Sequence, residues 1–130
     1  MAAYFPDVRA RVRYEGPDSD NPLAFKHYNP KARVGGRTMA QHLKFAVSYW
    51  HTFKGTGADP FGGPAYDRTW NRGGDALDVA RRTMDACFEF VAKLGAGYWC
   101  FHDRDIAPEG ATIAESNRNL AALVAQAKAL

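Results

Sequence analysis

The chain has little cysteine and no long apolar run, and both features limit the class of protein to which it can belong. Its two cysteines, Cys87 and Cys100, lack partners at metal-ligand spacing, so both are expected to be small buried apolar side chains. No apolar run reaches the length that crosses a bilayer, and residues 1–7 lack the basic-then-apolar order of a signal peptide. The sequence therefore predicts a cytoplasmic chain.

The excess of one sign of charge over the other is also small. Seventeen Lys and Arg against 14 Asp and Glu leave a formal net charge of +3. Arg9, Arg11 and Arg13 alternate along one segment, but no predicted helix carries a basic stripe, so nucleic acid is not expected as a partner. The composition over 130 residues is 46% hydrophobic, which is too apolar for disorder and predicts one domain with a modest core.

Two parts of the chain differ in composition. Residues 1–37 are rich in Pro, Gly, Asn and Asp, and their aromatic residues predict an irregular arm that packs on some surface and is not a free tail. Residues 38–130 alternate strand-like apolar runs with helical patterns. The spacing predicts a strand at about 44–50, a helix at about 76–94, a strand at about 98–102 and a helix at about 113–130.

Capping residues mark the ends of the predicted helices. Apolar residues recur every three to four positions between Asp75, a suitable N-cap, and Gly95, a suitable left-handed stop. Capping boxes open the other two helical segments, at Thr38 with Gln41 and at Thr112 with Glu115.

Residues 51–74 form a glycine-rich and proline-rich segment that we expect to be a long loop. Four embedded aromatic residues argue against disorder there. Phe61 lies at the predicted tip, where an exposed phenylalanine is expected to insert into its own core or into a partner subunit.

The order of elements predicts an α/β fold. Strands alternating with helices indicate parallel βαβ connections, and the predicted elements make two βα units. Two parallel strands cannot close a barrel, and a complete (β/α)8 TIM barrel needs about 250 residues. We therefore interpret the chain as the first two βα units of such a barrel, preceded by an irregular arm.

A His–carboxylate cluster follows the second predicted strand. His102 and Asp105 would lie at the carboxyl end of that strand, where α/β enzymes carry their chemistry, and a carboxylate can fix the tautomer of an imidazole. The spacing alone also fits a charged loop without a catalytic role. A metal site at His102, Asp103 and Asp105 is a weaker alternative, because adjacent residues rarely converge on one ion. Trp50, at the end of the first predicted strand, is either an aromatic wall of the same pocket or a core residue.

Six stretches resemble xylose isomerases of the class with the longer N-terminal arm, in order and with coherent spacing. They are Tyr14–Ser19, Asn21–Pro30, His42–Val47, Tyr49–Phe53, Gly57–Gly62 and Cys100–Gly110. The resemblance implies an aldose–ketose isomerase that interconverts D-xylose and D-xylulose, and D-glucose and D-fructose. It also implies a tetrameric TIM barrel with two divalent cations, usually magnesium, manganese or cobalt.

The resemblance gives individual residues roles. His102 would hydrogen-bond the ring oxygen and assist ring opening, and Asp105 would hold its imidazole in place. Trp50 would line the apolar wall beside the carbons that exchange hydride, and Phe61 would reach across the dimer interface into the neighbouring site.

The family's metal ligands and its substrate-facing lysine have no counterparts in this sequence, so we expect this chain alone to bind no metal pair and to lack isomerase activity. Two other hypotheses remain at this point. One is a half-barrel that oligomerises through exposed strand edges, and the other is a metal-dependent nuclease of related architecture, which the Trp50 and Phe61 features disfavour.

Overall fold

A computed structural model describes residues 3–130, so the first two residues of the predicted arm lie outside the described range. The described part contains four short strands, three α-helices, one π-helix and one 3₁₀-helix. Their bounds are β1 Arg33–Val34, β2 Arg37–Thr38, α1 Met39–His42, β3 Ala46–Ser48, the π-helix Trp50–Lys54, the 3₁₀-helix Thr69–Asn71, α2 Ala76–Leu94, β4 Tyr98–Cys100 and α3 Ile113–Ala129.

Strands β3 and β4 pair in parallel, as the alternation of elements predicts. Val47 lies opposite Trp99, and Ser48 lies opposite Cys100. Parallel neighbours need a crossover connection, which α2 supplies, and α2 in turn packs against α3. In the part of the chain that the structure describes, this sheet has two strands. The architecture is thus α/β, with both strands ending at the same edge.

Both strands are shorter than the sequence predicts. Tyr49 already has helical angles (φ −62°, ψ −48°), and Trp50 starts a π-helix that closes when the Gly55 N–H donates to the Trp50 carbonyl over 2.7 Å. The predicted loop 51–74 therefore begins with a helical turn and later includes a 3₁₀ turn. A short apolar run does not distinguish strand from helix, so periodicity could not place this transition.

The cysteines differ in burial. Cys87 is fully buried in α2, as predicted, and its burial raises the pKa of the thiol to about 12. Cys100 is exposed, so the prediction that it is buried is wrong. The reason is that β4 has a strand neighbour on one side only, which leaves its other edge and its faces partly open.

The arm contains a regular element that composition did not predict. Strands β1 and β2 form an antiparallel hairpin in which Gly35 and Gly36 make the two-residue connection. Both glycines have positive φ, +54° and +82°, which is the conformation that tight hairpin loops require. The prediction of a wholly irregular arm is therefore wrong at residues 33–37.

The helix ends follow their capping signals. The Asp75 carboxylate accepts the Asp78 N–H over 2.8 Å, and Gly95 (φ +76°) donates its N–H to the Val91 carbonyl, so α2 begins and ends where the sequence indicates. At α1 both bonds of the Thr38 and Gln41 capping box are present. At α3 the Thr112 hydroxyl accepts the Glu115 N–H, while the Glu115 carboxylate accepts from Ala111.

Substituting Gly95 by alanine is expected to destabilise the chain by about 1–2 kcal/mol, the cost of a left-handed conformation for an L-residue. An added Cβ would also collide with the Arg11 side chain, whose guanidinium donates to the Gly95 carbonyl over 2.9 Å. Urea denaturation measures the change. Gly97→Ala is the matched control, because its Cβ would meet nothing within 4 Å, and equal losses for both variants would contradict the expectation.

The hydrophobic core lies between α2, α3 and the strand pair. Its fully buried large side chains come from both halves of the chain and include Tyr49, Phe53, Met84, Ile106 and Leu123. No helix within residues 3–130 combines the length and apolar character that a membrane crossing requires.

The start of the arm is fastened to α2, as its aromatic residues predict. The Glu89 carboxylate accepts the N–H groups of Tyr4 and Phe5 over 2.8 and 3.0 Å. Lys93 donates to Glu89 over 2.7 Å and to the Phe5 carbonyl over 2.6 Å. The Phe5 ring packs against Trp70, with ring centroids 5.9 Å apart. The arm is therefore held by both charge-assisted hydrogen bonds and aromatic contacts.

Acidification is expected to release this contact. Partial burial opposes ionisation of Glu89, but the bonds from Lys93, Tyr4 and Phe5 outweigh it and hold its pKa below the ordinary value of 4.5. A depressed carboxyl pKa gives stability that is present above the unfolded-state pKa and is lost as the pH falls through the folded-state value. Thermal denaturation should show that Glu89→Gln lowers stability by about 1–2 kcal/mol at pH 7 and by less as the pH falls through the folded-state pKa of Glu89. A loss that does not change with pH would contradict this.

Candidate functional site

The candidate site lies just beyond the carboxyl end of β4. The Asp105 carboxylate Oδ2 accepts from the His102 main-chain N–H over 2.7 Å and lies 3.0 Å from the ring Nδ1. The Asp105 side chain is 8% exposed, whereas the His102 side chain is 69% exposed. The carboxylate is therefore sheltered while the imidazole faces solvent, and the structure brings the two side chains into contact. Their joint role in catalysis stays a prediction.

This contact determines which ring nitrogen is free. An ionised carboxylate can only accept hydrogen bonds, so Nδ1 of His102 carries the proton that it donates to Asp105. In the neutral ring Nε2 is then left as an acceptor on the exposed side. An imidazole held in one tautomer with an open nitrogen can take a proton from a ligand and return it.

Trp50 occupies the equivalent position after the neighbouring strand. It follows Ser48 by two residues, as His102 follows Cys100, and Ser48 and Cys100 are directly paired. Trp50 is 44% exposed and, with Lys54 and Tyr66, lines a cavity of about 510 Å³. His102 is not among the residues that line this cavity. The structure thus places Trp50 at the same edge of the sheet as His102, as a half-exposed side chain and not as a core residue.

Phe61 lies at the tip of the loop between the π-helix and the 3₁₀-helix. The Asp59 carboxylate accepts the N–H groups of Phe61 and Gly62, which closes a tight turn. The Phe61 side chain is 96% exposed, so it does not fold back onto its own core. Insertion into a partner subunit, the other destination that the sequence allowed, stays a prediction.

Two residues near the site carry no signal in the sequence. The Lys54 ammonium donates to the Asp105 carbonyl over 3.0 Å across 51 positions of sequence. The Tyr49 hydroxyl is buried without a hydrogen-bond partner in the described part of the chain, and burial, followed by the nearby Cys87 and Asp105, raises its pKa. Neither residue belongs to a local pattern, because the contacts depend on how the two strands are placed side by side.

The His, Cys, Asp and Glu side chains of the described residues do not by themselves form a site for two metal ions. Among the described residues, no three or more His, Cys, Asp or Glu side chains converge as ligands. Two divalent cations would require several carboxylates and imidazoles directed at one point. The contact that the structure does show, between His102 and Asp105, is of a kind that can support proton transfer.

Helix-linked parallel strands with a His–carboxylate pair beyond their carboxyl ends define an α/β protein whose site lies at that edge of the sheet. No protein-family model matches the chain. Curated proteins do match the chain, and the relatives described here are named xylose isomerase. The chain is 52% identical over 125 residues to the enzyme of Caldanaerobacter subterraneus subsp. yonseiensis, and this match covers 96% of the chain.

Two further relatives agree. The chain is 51% identical to the xylose isomerase of Thermotoga neapolitana over 98% of its residues, and 54% identical to that of Enterobacter sp. (strain 638) over 95%. The matches cover 28–29% of the relatives' own lengths. The chain therefore belongs to the xylose isomerase family over the segment that it covers, a little more than a quarter of such a protein.

Proposed function

We propose that this chain supplies the proton-handling part of an aldose–ketose isomerase that converts D-xylose to D-xylulose, and D-glucose to D-fructose. The observation that carries the proposal is the bond between His102 Nδ1 and Asp105 Oδ2 at the strand end, in a chain about half identical to xylose isomerases. Ring opening requires a proton at the sugar ring oxygen, and a His whose Nδ1 is bonded to a carboxylate can carry a second proton on Nε2 and donate it there.

The proposed roles divide between the two strand ends. With both ring nitrogens protonated, His102 donates from Nε2 to the sugar ring oxygen as the ring opens, and the anomeric hydroxyl of the sugar releases one proton in exchange. The sheltered Asp105 carboxylate accepts from Nδ1 and stabilises this form of the ring. Trp50 lines the apolar side of the site, where exclusion of water protects the transfer of hydride between adjacent carbons. Phe61, which is exposed at a loop tip, completes that wall in a second copy of the chain.

The proposed assembly is a (β/α)8 barrel within a homo-oligomer, a tetramer by resemblance. The arm, residues 1–37, and the barrel part, residues 38–130, are its first two segments. Magnesium, manganese or cobalt would polarise the carbonyl and hydroxyl of the open-chain sugar. Because the described donor set does not fit such a pair, the ligands are assigned to the part of the family that this chain does not cover.

The test is a chimera in which this chain replaces the segment that it matches in the T. neapolitana enzyme. We expect the chimera to form D-xylulose from D-xylose with magnesium or manganese. The purified 130-residue chain, assayed in parallel, is expected to form none, because its described residues offer no metal centre.

The unmodified T. neapolitana enzyme controls for the assay, and circular dichroism controls for folding of the chimera. A folded chimera without activity would contradict the assignment of these residues to the sugar site. Xylulose formation by the isolated chain would contradict the division of the site between this segment and the rest.

A further inference from the structure

Lys54 connects the two segments that carry the candidate site. It is the last residue of the π-helix that Trp50 begins, and its Nζ donates to the main-chain carbonyl of Asp105 over 3.0 Å. Lys54 is exposed, whereas Asp105 is buried. One hydrogen bond therefore joins the segment after β3 to the loop after β4, at the sheet edge where Trp50 and His102 lie.

Asp105 is held at three points. Its N–H donates to the His102 carbonyl over 3.1 Å, its carboxylate accepts from His102, and its carbonyl accepts from Lys54. The first two contacts lie within the loop itself. Among the hydrogen bonds of Asp105 in the described part of the chain, the one from Lys54 comes from a different element of the fold. Ile106, the next residue, is buried in the core, so the Lys54 bond adds a polar restraint to an apolar one.

The strength of the contact supports this role. The donor is a cation, and hydrogen bonds to charged groups contribute more than bonds between neutral groups. Lys54 also lines the same cavity as Trp50, so one side chain belongs to that cavity and bonds the loop after β4.

We propose that Lys54 is a positioning residue, which fixes the Asp105 main chain so that the carboxylate remains on Nδ1 of His102. The functional meaning of this inference rests on the proposed role of that pair. The Lys54 bond can be tested without any sugar. If it is present, the loop that carries His102 should be well ordered in the 130-residue chain.

The experiment compares Lys54→Met, Lys54→Arg and the unmodified chain by NMR. In Lys54→Met the His102 amide, which donates to Asp105, is expected to exchange with solvent about tenfold faster. Its ring should also lose the single Nδ1-protonated tautomer. Lys54→Arg, which keeps a cationic donor, should restore both signals, and amides of α2 should be unchanged throughout. Lys128→Met, at an exposed position of α3, is the matched control.

Unchanged exchange and tautomer at His102 in Lys54→Met would overturn the inference, and so would a failure of Lys54→Arg to restore them. If Lys54→Met does not fold, the scalar coupling between Lys54 Nζ and the Asp105 carbonyl carbon in the unmodified chain decides, and its absence overturns the inference. These signals are independent of turnover. An inactive chimera with an intact Lys54 contact would contradict the proposed function alone, and an active chimera without the contact would contradict the positioning role alone.

Discussion

Replacing His102 by asparagine in the chimera is expected to lower kcat/KM for D-xylose by about 100-fold to 10,000-fold, the range that a positioned acid–base group contributes. Asparagine keeps a polar side chain but cannot exchange a proton near neutral pH. The steady-state rate of D-xylulose formation measures the loss. Because the His102 side chain is 69% exposed, its replacement should leave the stability of the fold almost unchanged.

The same variant can separate ring opening from the later hydride transfer. An aldotriose such as D-glyceraldehyde is too short to close a sugar ring, so its isomerisation should be far less sensitive to the loss of His102. His27→Asn makes the same chemical change at an exposed histidine of the arm and should leave both reactions unaffected. Equal losses with both substrates would show that His102 does not act at the ring oxygen.

The helices and caps could be predicted because their signals are local. The bounds of α2 follow from apolar residues at helical spacing between an aspartate that accepts an N–H and a glycine with positive φ. The transition at Tyr49 could not be predicted, since the run that starts at Phe45 suits a strand and a helix equally well. The Gly35-Gly36 hairpin was missed for a different reason: the composition of the arm concealed a tight turn flanked by only two residues on each side.

Part of the candidate site could likewise be predicted from the sequence, and part could not. His102 and Asp105 are three residues apart, so their contact is local and the sequence predicts it. The relation of Trp50 to His102 depends on the register between β3 and β4, which the parallel alternation suggests but does not determine. Lys54 and Tyr49 could not be found from the sequence, because their contacts exist only once the strands lie side by side.

Replacing Phe53 by alanine is expected to destabilise the chain by about 3–5 kcal/mol, which is the range for a buried phenylalanine and a large part of the stability of a small domain. The Phe53 side chain is fully buried, with its ring centroid 5.6 Å from that of Trp70 and 5.7 Å from that of Phe90. Its carbonyl also accepts the Trp70 indole N–H over 3.0 Å. A cavity at this point would loosen the contact between the π-helix, the 3₁₀-helix and α2, and urea denaturation followed by tryptophan fluorescence measures the loss.

Phe61→Ala is the matched control, because it deletes the same side chain from a position that is 96% exposed. In the isolated chain its stability should change by no more than about 0.5 kcal/mol. In the oligomeric chimera, by contrast, Phe61→Ala should weaken turnover, since the proposed role of this residue lies in the neighbouring copy. Phe53 is therefore expected to act in the core of the fold, and Phe61 in the wall of the proposed site. Similar unfolding midpoints for the two variants would contradict this difference.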